Sequence, residues 1–207
     1  MIFGISFFHW LVLLSAAISI GGGTAYIRGT LSGTTKPNRI TWGLWALAPL
    51  LGTAIALSSH ADVWVTVRVF FAGFIPLLVF FISFVNKNSY WKLTIFDFFC
   101  GAWAVVAIVL WLVADSPELA ILFAVLADIF AALPTLRKAW LQPETEKGIT
   151  YIASFVSVLL AMPAIPVWNI TNAGFSIYLA VVNAVLILII YWKRPQRKTA
   201  PLDRLGE

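Results

Sequence analysis

Residues 27–48 read IRGTLSGTTKPNRITWGLWALA, and residues 136–157 read LRKAWLQPETEKGITYIASFVS. Laid over each other without a gap, Arg28 falls on Arg137, and Ile40, Thr41 and Trp42 fall on Ile149, Thr150 and Tyr151. Just beyond, Leu50 and Leu51 fall on Leu159 and Leu160. Each stretch is a short polar hinge, basic at its start, between two apolar runs. Identities are few, so the argument rests on register. Apolar segments centred near residues 19, 50 and 76 return, at one constant offset, near 128, 159 and 185. A repeat of three helices around one extra helix is an architecture of membrane transporters.

The composition sets the environment. The chain has 207 residues, 61% hydrophobic and only 11% charged, too little charge to cover a soluble domain of this length. Ten Trp and sixteen Phe suit a surface that faces lipid and rims that sit at the interface. The reading is an all-α integral membrane protein. One cysteine, Cys100, excludes an internal disulfide, and with two His no zinc site, Cys/His nucleophile or cofactor is expected. No glycine-rich phosphate loop is present. The formal charge of +5 is spread over several short loops, so nucleic acid is not an expected partner. The first residues, MIFGISFFHWLVLLSAAISIGGG, lack a basic leader and have a repeat partner near Asp128. They are expected to stay as a helix of the mature protein.

A membrane helix needs about 20 mostly apolar residues. Seven segments fit: 5–27, 40–58, 64–86, 94–114, 118–141, 149–166 and 174–192. Backbone in lipid must satisfy itself, and these runs do not alternate as barrel strands do. With the N-terminus outside, the loops at 28–39, 87–92 and 137–148 and the tail after 192 face the cytoplasm. They carry 13 of the 14 Lys and Arg residues, Arg68 being the exception. That asymmetry sets the expected orientation in an inner (plasma) membrane, with the C-terminus cytoplasmic. The organisation is then a first three-helix bundle (1–93), an inversion helix (94–114), a second bundle in the same orientation (115–192) and a basic tail (193–207). The tail is expected to be disordered.

This plan of three, one and three helices resembles the SWEET, semiSWEET and PQ-loop superfamily. The KDEL receptor and bacterial vitamin transporters of the PnuC type look like relatives by fold. Pro134 and Thr135, followed by Arg137, Lys138, Ala139 and Trp140, resemble a PQ-loop motif with Thr in the place of Gln. Pro49 and Pro163 resemble the helix-breaking prolines of these families. Asn183 resembles the asparagine that contacts sugar in SWEET proteins; its counterpart in this chain is Phe74, so the symmetric pair is absent. The resemblance implies a bacterial transporter of a sugar or another small polar metabolite.

The residues themselves point to a central site. Asp128 lies mid-way along an apolar run, where a carboxylate costs several kcal/mol unless protonated, paired or hydrated. It is read as a substrate ligand or proton-coupling group, the alternative being a carboxyl that fixes packing. Its repeat partner Ser19 is small and polar, and faces the same cavity if the repeat holds. Trp42 and Trp45 share a helix face, with Tyr151 and Ser154 as repeat partners. Trp42 reads as a rim anchor; Trp45, deeper, reads equally as cavity or core. Asn183 either binds substrate or bridges helices. Arg68 reads as a snorkelling side chain and Asp97 as a helix-end carboxylate. Pro49, Pro134 and Pro163 are candidate gate kinks, or static ones.

Two function classes follow. The first is a small-solute transporter or facilitator working by alternating access, for which a monomer suffices and a homo-oligomer is left open. The second is a membrane receptor or assembly factor of the same fold. An enzyme is not expected, because a lone intramembrane Asp lacks a partner for acid–base work.

Overall fold

The computed structural model describes residues 7–58, 63–165 and 167–199. Those residues form seven α-helices: α1 (Phe7–Leu31), α2 (Arg39–Ser58), α3 (Val63–Ile82), α4 (Ile95–Leu112), α5 (Pro117–Leu141), α6 (Gly148–Ala161) and α7 (Ile170–Thr199). No strand occurs among them. Five helices are long and apolar enough to cross a membrane; α3 and α6 carry shorter apolar stretches, Val69–Ile82 and Gly148–Ala164.

The helix ends follow local chemistry. Asn38 precedes α2, and its Oδ1 accepts from the amides of Ile40 and Thr41 at 3.1 and 3.3 Å. Asp97 accepts from the Thr94 amide and hydroxyl at 2.5 and 2.7 Å, closing the first turn of α4; this is the helix-end role its position predicts. Ser116 caps α5, with Pro117 at the first helical position, where its missing N–H costs nothing. After α1 the chain turns at Gly33, whose φ of +79° suits only a residue without a Cβ.

Several boundaries differ from the sequence expectation: α3 ends at Ile82 rather than at 86, and α7 begins at Ile170 rather than at 174. Helix α1 continues past residue 27 to Leu31. Helix α6 stops at Ala161 and passes into a short 3-10 turn, Met162–Ala164. Pro163 sits in that turn, because a proline disfavours helix in the residue before it and removes a donor. Helix α7 runs to Thr199, so the start of the tail is helical, not disordered. Lys and Arg are good helix formers, and Lys193 lies 3.7 Å over the Trp140 ring. Residues 200–207 lie outside the described residues.

Helix α3 packs on both α1 and α2, and α7 on both α5 and α6. Between these groups, α1 packs on α6 and α2 on α5, while α4 lies on α5 and α2. Small residues allow these approaches, as membrane helices require. A Cβ on Gly22 would stand 2.5 Å from that of Ala153, and one on Gly23 2.3 Å from an Ile75 methyl. Ala104, Ala107, Ala127 and Ala131 fill the α4–α5 seam. The outer faces stay apolar: Ile95 is 89% exposed, with Phe98, Leu57, Leu188 and Trp192 also exposed. That surface belongs in hydrocarbon. At the end that carries the basic loops, Tyr26, Trp42, Val79, Ala139, Tyr151, Leu186 and Ile190 form one cluster. Six helices meet there.

Candidate functional site

Asp128 is half-buried near the middle of α5. The Tyr178 hydroxyl of α7 donates to its Oδ2 at 2.7 Å, and the Trp45 side chain of α2 also donates to it. Three helices thus converge on one carboxylate, and both partners are neutral aromatic donors. Pro49 has no amide proton for the Trp45 carbonyl four residues earlier, so α2 is locally relieved of one helical bond beside this group. Pro134 lies inside α5, one turn and a half beyond Asp128.

From Trp45 an aromatic path leads toward the basic-loop end. Its ring meets Trp42 edge-on at 5.3 Å, and Trp42 leans on Tyr26 at 4.4 Å. Trp42 is not the rim anchor that its sequence position predicts. It is 4% exposed and its Nε1 donates to the Tyr26 hydroxyl at 3.3 Å. It lies inside the cluster of Tyr26, Val79, Ala139, Tyr151, Leu186 and Ile190, away from the outer surface.

The path ends on a buried ion pair. Lys138 Nζ stands 2.6 Å from Glu146 Oε1, with both side chains fully buried. Glu146 Oε2 accepts from the hydroxyls of Tyr26 and Tyr151 at 3.0 and 2.8 Å. Lys138 also donates to the Lys36 carbonyl, and the Lys36 amide donates to the Thr145 carbonyl at 3.0 Å. Nearby, Asn38 Nδ2 donates to Asp97 Oδ1 at 2.9 Å. A buried ion pair persists only where its remaining hydrogen bonds are satisfied. Here Tyr26, Tyr151 and the Lys36 carbonyl, from both halves of the chain, supply them.

The other expected site residues divide. Ser19 Oγ donates to Ser157 Oγ at 2.8 Å, and Thr150 Oγ1 to the Gly22 carbonyl at 2.8 Å, across the α1–α6 contact. Ser154 shares the α6 face of Thr150 and Ser157. Asn183 is buried, and its amide donates to the Leu179 carbonyl of its own helix at 2.7 Å. Tyr151 belongs to the ion-pair cluster, not to the Asp128 group. The Arg68 side chain lies outside the described residues. Glu146, Lys138, Tyr26 and Tyr178 were not among the expected site residues. The spacing of Lys138 and Glu146 around a Pro-containing loop was their only sequence signal.

Two clefts accompany these groups. One of 270 Å³ opens at the basic-loop end, lined by Thr34, Glu144, Glu146, Lys147, Tyr191 and Arg194 among others. Another of 380 Å³ runs along α2 and α4. Asp128 lines neither of them. No family model, curated protein or solved structure matches this chain.

Proposed function

We propose that the chain is a small-solute membrane transporter or facilitator, taking a sugar or another small polar metabolite by alternating access. The two moving bodies are α1–α3 and α5–α7, with α4 as the inversion helix between them. The observation that carries this reading is the matched packing: α3 on α1 and α2, α7 on α5 and α6, and α1 on α6 beside α2 on α5. Exchanging α1, α2 and α3 for α5, α6 and α7 turns each of these contacts into another of the set. A parallel repeat about an axis along the membrane normal would give such a set of contacts, which is what supports the reading. Lys36 and Thr145, equivalent under the same exchange, touch through their backbones.

In this reading the Lys138–Glu146 cluster closes the cytoplasmic end, and Asp128 with Tyr178 and Trp45 forms the solute site. Asp128 is the group that exchanges a proton if transport is coupled. The protein sits in the plasma membrane with its N-terminus outside, as the basic loops argue. The second reading is a receptor of the same fold. The cleft at the basic-loop end favours it, because a ligand there is reached from one side alone.

A thermal-shift screen of purified protein against metabolites, at two pH values, with wild type beside Asp128→Asn, tests the proposal. A ligand stabilises the state that it binds. A hit that Asp128→Asn loses is the expected result. A hit that it keeps returns Asp128 to packing, and no hit in either protein favours the receptor.

A further inference from the structure

The second cleft has a chemistry of its own. It is an open-sided trough between the first turns of α2 and α4, with Phe80 of α3 at its side. Leu47, Phe98, Ala102 and Val105 present apolar walls. Gly43 and Gly101 line its floor and let α2, α3 and α4 approach closely there. A Cβ on Gly101 would stand 2.9 Å from an Ile40 methyl, and one on Gly43 3.4 Å from the Phe80 ring. Leu47, Phe98, Ala102 and Val105 are exposed, and they lie on helices whose outer faces are apolar throughout. The trough therefore opens to hydrocarbon, where water does not fill an apolar groove.

Arg39 stands at the basic-loop end of this trough and is half-buried. Its Nε and Nη2 donate to the Ser83 hydroxyl and carbonyl at 3.1 and 2.8 Å. Its guanidinium lies 3.9 Å from the Phe84 ring centre and 5.0 Å from that of Tyr90. Every one of these partners is uncharged, and Nη1 is left over. A planar cation held at the membrane rim with a free donor matches a phosphate oxygen. From Arg39 to Leu47 the trough runs about 12 Å along the helix axis. One leaflet of hydrocarbon is about 15 Å deep, half of a core about 30 Å thick.

We infer that this trough is a phospholipid site: the lipid phosphate rests on Arg39 and one acyl chain lies over Gly43 and Gly101 between α2 and α4. The lipid would join the fourth helix to the first three on the basic-loop side. The inference stands apart from the transport reading, since none of the residues at Asp128 takes part.

Native mass spectrometry of the detergent-purified protein tests it, with phosphatidylglycerol, diacylglycerol and inorganic phosphate added in turn. Wild type is expected to hold one phospholipid that neither diacylglycerol nor inorganic phosphate displaces. Ala102→Trp, which fills the trough and leaves Arg39 in place, is expected to lose most of the adduct. Arg39→Gln is expected to weaken it roughly tenfold, the effect of one charge-assisted hydrogen bond. Circular dichroism of each variant confirms that it is folded; if Arg39→Gln does not fold, Ala102→Trp decides alone. Full retention by folded Ala102→Trp overturns the site. Equal competition by diacylglycerol removes the phosphate from Arg39, and displacement by inorganic phosphate makes it an anion site without a lipid; either result overturns the proposal.

Discussion

Lys138 and Glu146 sit 2.6 Å apart with no solvent exposure, both near the end of the second group of helices, and each reaches a residue of the first. Lys138 donates to the Lys36 carbonyl, and Glu146 accepts from Tyr26. Removing one member of a buried pair strands the other charge, at about 3–5 kcal/mol. Lys138→Met should therefore destabilise the protein strongly in detergent unfolding. Adding Glu146→Gln should restore more than half of the loss, because Gln still accepts from the two tyrosines and carries no charge. Additive losses in the double variant would show that the two side chains act separately.

Tyr178 offers a gentler test of the Asp128 group. Tyr178→Phe keeps the ring and removes the hydroxyl that donates to Asp128. A hydrogen bond to a charged group contributes about 1.5–3 kcal/mol. The unfolding temperature should fall by a few degrees, and the affinity for a solute bound at Asp128 should fall at least about tenfold. Isothermal titration with the solute found by screening measures this. An unchanged affinity would leave the Tyr178 hydroxyl without a part in solute binding.

The glycine triplet in α1 separates packing from propensity. Gly22 faces Ala153 and the Thr150 backbone, whereas nothing stands within 4 Å of a Cβ on Gly21. Gly22→Ala should cost about 1–3 kcal/mol by overpacking the α1–α6 contact. Gly21→Ala should be neutral or stabilise by about 0.5–1 kcal/mol, since alanine holds a helix better than glycine. Thermal unfolding of the two variants side by side gives the comparison.

The helices were legible because twenty apolar residues closed by polar hinges leave lipid-spanning backbone one solution. Asp128 was legible because a carboxylate in such a run is expensive wherever it points. Its partners were not, since the face of α7 that carries Tyr178 is fixed only by how α7 packs on α5. Lys138 read as one of several rim cations; its burial depends on two loops, around Lys36 and Thr145, folding over it. Trp42 read as a rim anchor because the sequence does not show that its helix face packs on Tyr26 and Tyr151 inside the bundle. Asn183 read equally as a substrate ligand or a helix bridge; its amide bonds the Leu179 carbonyl of its own helix, as a short amide in a helix can. The helical start of the tail was hidden because charge was read as disorder, although Lys, Arg and Gln favour helix.

The most direct measurement of the transport reading is solute exchange by proteoliposomes with the basic-loop end locked. The Lys36 amide and Thr145 carbonyl are 3.0 Å apart, so Lys36→Cys with Thr145→Cys, in a Cys100→Ala background, brings two thiols within reach of a short reducible linker. The account predicts exchange of at least one small polar solute by the reduced protein, its loss on linking, and its return with reductant. Unaltered exchange in the linked protein, or no exchange of any solute by the reduced one, would contradict it.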